Sequence, residues 1–308
     1  MSRSLSESLR DRPLLFEPVP PSSRTSATRS KAHLEELVKL IETIPRVDAI
    51  DVPELVDENH DGKPFYRSSD VRVFGRTLAD RIGREVIVNK IVAYLPSLEA
   101  VSQWARETVE RGVRHVVLVG GSSRYIPYPG PPVIEANRHC QPIVQHAGGL
   151  LGNISIPQRT GEAHRMLAKT RAGASFFTTQ ILFDSEGALR MLREYDTLCR
   201  GAGIRPASVL LSVAPLVDEG DAEFVRWLGA DIPESAERSI LNGEEKESAA
   251  RSVVHALRVF GEVRAGVAEG HIGVPVGVNV EEITQRHLAP AAEMLSAFAK
   301  VIDDIPAH

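Results

Sequence analysis

Cysteine is scarce in this chain: 308 residues contain only Cys140 and Cys199. They show no CxxC spacing and no neighbouring histidine pattern, so neither a disulfide framework nor a zinc site is indicated, and a reducing cytoplasm fits best. The ten histidines are scattered without HxH or HExxH. Asp57, Glu58, His60 and Asp61 have the make-up of a solvated loop, so no metal is expected. A basic excess is also missing: the net charge is -5 and the pI about 6.1, which leaves no basic face for a nucleic-acid backbone. No apolar run reaches the roughly 20 residues that span a bilayer, VLLSVAPLV (Val209 to Val217) falling well short. The opening MSRSLSESLRDRP lacks the apolar core of a signal peptide and carries acidic residues that a transit peptide avoids. Residues 1–12 therefore read as a disordered lead-in. Dinucleotide fingerprints fail on context, since GGLLG (Gly148 to Gly152) precedes a strand and GHIGVPVG (Gly270 to Gly277) fails similarly. There is no GxSxG elbow and no P-loop.

What is present is alternation. With 43% hydrophobic and 25% charged residues the chain can bury one large core, and an α/β barrel takes about 250 residues. Short Val/Ile/Leu-rich runs alternate with amphipathic helical patterns, which predicts a parallel sheet. The strand candidates are Leu14–Glu17, Ala49–Pro53, Val86–Tyr94, His115–Val119, Leu150–Ile156, Ser175–Phe183, Ser208–Ala214 and Val274–Val280. Helices are expected at Lys31–Ile44, Ser97–Arg111, Gly161–Arg171, Gly187–Gly201, Ala249–Val263 and Pro290–Ile302, with Pro290 at a first helical position. Eight strands make a single (β/α)8 TIM barrel over residues 13–308. Long connections, Val56 to Arg84 with one extra helix and Ser122 to Gln145 with a helical pattern around Ile134 to His139, follow strands 2 and 4 and lie on the rim where barrels build active sites.

Several residues at strand ends carry chemistry. Glu17 closes an apolar strand beside Phe16 and before Pro18, Pro20 and Pro21. Facing a pocket, its carboxyl would be raised by desolvation, as a general acid requires; paired with a rim arginine, it would be structural. Gln180 offers one acceptor and two donors on the same strand face as Thr178; satisfied by neighbouring backbone, it would be structural instead. Asn153, Gln180 and Asp184 are expected to point to one rim, with Asp184 capping the helix that follows. Glu54 ends the second strand in DVPELVDE, and Asn279 lies in GVPVGVNVEE. Gly120, Gly121 and Ser122 could let backbone N–H groups approach a phosphate, or form a plain turn. Phe224 and Trp227, in AEFVRWLGADIP, read as core packing in preference to a pocket cover.

Two segments resemble the methylenetetrahydrofolate reductase family. GASFFTTQILFD, at the end of Gly152 to Asp184, is similar to a family barrel strand reading roughly DAGADFIITQLFFD, and LLFEPVPP resembles the first strand with its glutamate and proline pair. The likeness covers most of the chain in element order and is specific only in these two segments. It implies a folate-binding barrel of one-carbon metabolism, in which Glu17 protonates the imidazolidine ring of 5,10-methylenetetrahydrofolate and Gln180 orients the pterin. Asn279 falls where the eighth strand carries a substrate-side asparagine, and Glu54 could take over the pterin amino group. The departures concern flavin. Strand 4 ends in Gly120-Gly121-Ser122 where an Arg-Gly-Asp turn is expected, Thr160 replaces a histidine, Lys169 alone survives in the following helix, and Asn89 and Lys90 stand where strand 3 would carry a flavin-contacting histidine. The pattern resembles the flavin-independent branch: no tightly bound flavin, with NADH or NADPH as co-substrate held by Gly120, Gly121, Ser122, Asn89 and Lys90, and direct hydride transfer within about 3.5 Å. The alternatives are a flavin- or deazaflavin-dependent reductase of a methylene-tetrahydropterin, and a folate-binding barrel without catalysis. Oligomeric state and nucleotide preference stay open.

Overall fold

Runs of Val, Ile and Leu with no polar face require cover on both sides, and the chain supplies it by following strands with helices. The computed structural model describes residues 3–58, 64–66, 68–121, 126–243 and 245–303. In chain order the elements are α1 (Leu5–Ser8), β1 (Leu14–Glu17), α2 (Ala27–Thr43), β2 (Ala49–Val52), β3 (Val56–Glu58), β4 (Pro64–Tyr66), α3 (Val71–Ile82), β5 (Glu85–Ile91), α4 (Leu98–Glu110), β6 (His115–Val119) and α5 (Val133–His146). They continue as β7 (Leu151–Ser155), α6 (Glu162–Arg171), β8 (Phe176–Thr179), α7 (Glu186–Gly201), β9 (Ser208–Val213), α8 (Glu219–Trp227), α9 (Glu234–Leu241), α10 (Glu245–Glu269), β10 (Val276–Glu281) and α11 (Leu288–Val301). Eight strands close into a parallel barrel in the order β1-β10-β9-β8-β7-β6-β5-β2, while β3 and β4 form a separate antiparallel hairpin. This is the expected (β/α)8 barrel, with long connections after its second and fourth strands. No helix among the described residues is long and apolar enough to cross a membrane.

Contacts divide the chain into two compact units, residues 1–6, 17–154 and 168–176 in one, and 7–16, 155–167 and 177–308 in the other. In the first, parallel registers pair Asp51 with Ile87, Asn89 with Val117 and Leu118 with Asn153. Gly75 of α3 comes so near the strands that a Cβ there would meet Val86 and Val88 at 3.0 and 3.1 Å. Val86 and Val88 therefore face the helix layer, and alternation turns Ile87 and Asn89 to the barrel interior. Val52 also lies near Gly75, at 3.7 Å, so Asp51, which is fully buried, points inward. Helix starts follow the sequence signals: Ser97 accepts from Ala100 N–H at 3.2 Å and Asp70 from Arg72 N–H at 2.9 Å.

The second unit pairs Asn279 of β10 with Ser212 of β9. Beyond its strands lies a smaller apolar cluster that includes Ile181, Phe183, Leu216, Val225, Ile232 and Ile240. It is built on the connection between β9 and α10, which holds α8 and α9, two helices beyond those that the sequence patterns predict. Residues 3–12 also depart from expectation. Leu5, Ser8 and Leu9 are buried, three positions on one side of a helical turn, and Ser208 Oγ donates to Leu9 O at 2.6 Å. The low apolar content of the lead-in hid this spacing. Helix α11 starts two residues before Pro290, after a 3-10 turn at Gln285–His287.

At the amino end of β5, Leu150 N–H donates to His115 Nδ1 (3.1 Å), so His115 Nε2 carries the proton and donates to Glu85 Oε2 (3.1 Å). That bond, together with Arg114 and against partial desolvation, pulls the Glu85 carboxyl from 4.5 down to about 2. A depressed carboxylate contributes stability above its unfolded pKa and loses it as pH falls through the folded value, here from about 4.5 to about 2. Urea unfolding at about pH 5 and about pH 3 will therefore show a smaller loss of stability for Glu85→Gln than for the unaltered chain.

Candidate functional site

In a closed parallel barrel the carboxyl ends of the strands form the rim that carries chemistry. β1 is apolar and fully buried for three residues and then ends in Glu17, which is partly exposed. The chain thus holds this carboxylate on a rigid strand end, as the sequence predicts.

Within the first unit, Asn89 is buried, and its Oδ1 has no hydrogen-bond partner among the described residues. An inward acceptor left bare is unusual enough to mark a site. Glu54 and Lys90 are brought together: Lys90 Nζ donates to Glu54 Oε1 at 2.6 Å, and Ile91 N–H donates to Oε2 at 2.8 Å. Their side chains are 10% and 8% exposed, so this is a buried ion pair in which each member has a partner inside the protein. After β6, the ring of Tyr128 lies against Gly121, where a Cβ would come within 2.1 Å of it, and Tyr128 packs edge-on to Tyr94. The close approach that glycine allows there admits an aromatic ring, and a Cβ on Gly120 would meet Val133 at 3.3 Å. Ser122 lies outside the described residues.

Two expectations in this unit are corrected. Asn153 does not aim at the rim. Its amide exchanges hydrogen bonds with Asn137 of α5 (2.7 and 3.1 Å) and donates to Leu118 O (2.8 Å), so it faces the helix layer. Lys169, which matched the family's flavin-binding helix, donates its ammonium to Ile154 O at 2.7 Å and is buried there.

In the second unit Phe177 packs edge-on against Tyr195 of α7, with ring centroids 6.0 Å apart. Alternation then turns Thr178, and after it Gln180, to the opposite face, inside the barrel. Gln180 N–H donates to Ser155 O at 2.9 Å, which continues the strand pairing past Thr179. The Gln180 side chain donates through Nε2 to Leu228 O (2.8 Å) and accepts from Ile181 N–H (3.0 Å), so both halves of its amide are satisfied by neighbouring backbone, the structural alternative set out for it above. Asp184 accepts from Gly187 N–H at 3.2 Å, the helix-capping role predicted for it. Asn279 is fully buried and donates to Ser212 Oγ at 3.3 Å. Trp227 is 69% exposed and stacks on Phe224 with centroids 5.7 Å apart; the core face of α8 is instead Ala222 and Val225, which corrects the core-packing assignment of Trp227.

The loop after β10 carries a strained turn. Thr284 N–H donates to Glu282 O at 2.7 Å, closing a three-residue turn around Ile283, whose φ is +60°. A β-branched residue in that region costs roughly 1–3 kcal/mol and persists only where its surroundings fix it. His287 supplies the fixing. Its Nε2 is 2.8 Å from Asp221 Oδ2, and its Nδ1 shares a hydrogen bond of 2.6 Å with the Thr284 hydroxyl. Asp221 also accepts from Val217 N–H at 2.9 Å, closes the capping box of α8 with Asp218, and pairs with Arg286. Burial opposes ionisation of Asp221, yet these donors hold its carboxyl below the usual range. Asp51, Ser212, Asp221 and His287 were not singled out in the sequence. Only Asp221 left a signal there, as the fourth residue of an Asp-x-x-Asp cap.

Similar folds are known. A protein from Clostridium thermocellum described as binding two copies of 5-methyl-5,6,7,8-tetrahydrofolic acid superposes with a TM-score of 0.76 at 17% identity, over 96% of this chain and 98% of that one. This likeness shows the fold. Oxaloacetate acetylhydrolase with oxalate bound matches at a TM-score of 0.50 and 12% identity (100% and 89% covered), and the tryptophan synthase complex of Pyrococcus furiosus at 0.50 and 13% (96% and 98%). No model of a known protein family and no curated protein matches the sequence.

The buried pair yields a stability prediction. Glu54→Ala, which removes the carboxylate that the buried Lys90 ammonium donates to, should lower unfolding free energy by about 3–5 kcal/mol, whereas adding Lys90→Met should restore most of it. Urea denaturation of the single and double variants measures both.

Proposed function

We propose that this barrel binds a reduced folate and reduces 5,10-methylenetetrahydrofolate to 5-methyltetrahydrofolate with a reduced nicotinamide as direct hydride donor. The observation that carries the reading is the place of Glu17, a partly exposed residue that ends a strand whose three preceding residues are fully buried. Two others support it. Gln180 follows an inward-facing Thr178, and a barrel of the same fold that spans nearly the whole chain binds 5-methyltetrahydrofolate, the product of the proposed reaction.

An aminal carbon accepts hydride poorly until one of its two nitrogens becomes a leaving group. Glu17 gives its proton to that nitrogen, the C–N bond breaks, and the electron pair on the other nitrogen forms the iminium. The iminium carbon then takes hydride from the dihydronicotinamide, which leaves as the oxidised nucleotide. The methylene becomes a methyl, and Glu17 regains a proton from solvent. Gln180 has the donor and acceptor set for the mixed edge of a pterin, which it would offer in exchange for its bonds to Leu228 O and Ile181 N–H, and Asn279 has the same set in a buried position. Thr178 and Asn89 add a hydroxyl and a buried amide acceptor. Glu54 and Lys90 support strand ends through their ion pair, which gives them a positioning role in place of the ligand contacts expected of them. Gly120 and Gly121 shape the turn that Tyr128 covers.

Rapid mixing of the protein with NADH and 5,10-methylenetetrahydrofolate, without added flavin, tests the reading through loss of nicotinamide absorbance. Oxidation should require both substrates. Glu17→Gln should lower turnover by about 10²–10⁴ while 5-methyltetrahydrofolate still binds, and full turnover in that variant would sink the assignment. Activity restored only by FAD would make this a flavoenzyme; silence with every donor, together with intact folate affinity, would leave a binding barrel.

A further inference from the structure

An asparagine on a strand covered on both faces needs a partner, yet Asn89 Oδ1 has none among the described residues, although the residue is only 6% exposed. The strand around it is firmly set. Val88 turns to the helix layer, near Gly75, and Lys90 turns the same way to the carboxylate of Glu54, 2.6 Å from its Nζ. Glu54 also accepts from Ile91 N–H at 2.8 Å, so the last residues of β5 are tied down beside the bare oxygen. The Asn89 amide takes no part in that tie.

Asn89 stands two residues before the end of β5, about 7 Å along the strand, and opposite Val117 of β6. One step nearer the carboxyl end, on the same inward face, are Ile91 and Val119, which are paired with each other. Both are half-buried, whereas Val86 to Lys90 and His115 to Leu118 are buried. The inward face of these two strands therefore opens at that step, with two aliphatic side chains at the mouth and a bare amide oxygen below them. Apolar surface for the body of a ligand, with a polar group that fixes its orientation, is the make-up of a small-molecule site. The amide also selects what enters. A carboxamide sets one acceptor beside one donor in a plane, and its complement is an N–H beside a C=O. A lactam in a fused ring carries the two locked in that geometry, so pairing immobilises no further bond. A hydrocarbon would leave Oδ1 unpaired in a drier place than before.

We propose that Asn89 is a specificity-determining residue that reads the lactam edge of the pterin: Oδ1 accepts from the ring N–H, Nδ2 donates to the ring carbonyl, and Ile91 and Val119 lie against the ring. The inference rests on the folate reading above and narrows it, since the family resemblance places Asn89 with the nicotinamide nucleotide instead. The isoalloxazine of a flavin carries the same lactam edge and is the competing source of that chemistry. A second consequence concerns the free protein. An unpaired buried acceptor destabilises the fold, so an amide kept for a ligand and an amide kept for the fold respond in opposite directions when it is replaced by an apolar group of similar shape.

Equilibrium titration of the full chain with 5-methyltetrahydrofolate, FMN and NADH, together with urea unfolding of the ligand-free samples, tests the assignment. Asn89→Leu should weaken 5-methyltetrahydrofolate about tenfold or more and leave any affinity for NADH as it was. Its urea midpoint without ligand should equal or exceed that of the unaltered chain. Asn89→Ala, which adds no bulk to the barrel interior, should show the same loss of folate affinity. Folate affinity unchanged in Asn89→Ala, a loss confined to FMN or to NADH, or a lowered midpoint in Asn89→Leu would each overturn the assignment while leaving the folate reading in place. Failure of the unaltered chain to bind 5-methyltetrahydrofolate would remove that reading and this inference together.

Discussion

Strands covered on both faces leave their polar side chains no solvent to turn to. That constraint governs the rest of this structure. Every polar residue on a barrel strand must either reach the helix layer and be satisfied there, as Asn153 is by Asn137 and the Leu118 carbonyl, or face inward and define what the interior can hold. Asp51, Asn89 and Thr178 are of the second kind, and Glu17 and Gln180 continue it at the strand ends. In each unit the strands are thus aliphatic apart from a small set of inward polar residues.

The same constraint explains what the sequence makes legible and what it hides. The strands themselves are plain: Leu14–Glu17 and His115–Val119 have the bounds read from their apolar runs. The phase within a strand is not. In LGNIS both faces are buried, so no alternation of polar and apolar residues says whether Asn153 points in or out. For Gln180 alternation from Thr178 gives the face, but the contact of its amide with Leu228 O, 48 residues away, leaves no mark in the sequence. The pairing of Glu54 with Lys90 is hidden in the same way, since they are 36 positions apart in the chain and only the β2–β5 register brings them together.

Short helices are the other blind spot. α8 and α9 run for nine and eight residues, too few turns for a stripe to stand out, and much of their apolar surface serves a local cluster. Helix α8 is fixed at its start by Asp218 and Asp221, and the His287 ring that fixes Asp221 also fixes the strained Ile283 turn. One buried carboxylate thus orders two rim segments that are 66 residues apart in sequence.

Gln180 ends its strand with both halves of its amide engaged, one with Leu228 O and one with Ile181 N–H. Any molecule that takes the Nε2 donor exchanges one hydrogen bond for another, and so gains little enthalpy from that residue alone. What changes is the carboxyl end of α8, which loses its tether. Trp227 is the residue before Leu228 and is largely exposed, while the other indole, Trp104, is buried in α4. The emission of Trp227 is therefore a built-in optical signal of whether Gln180 is holding the protein or something else.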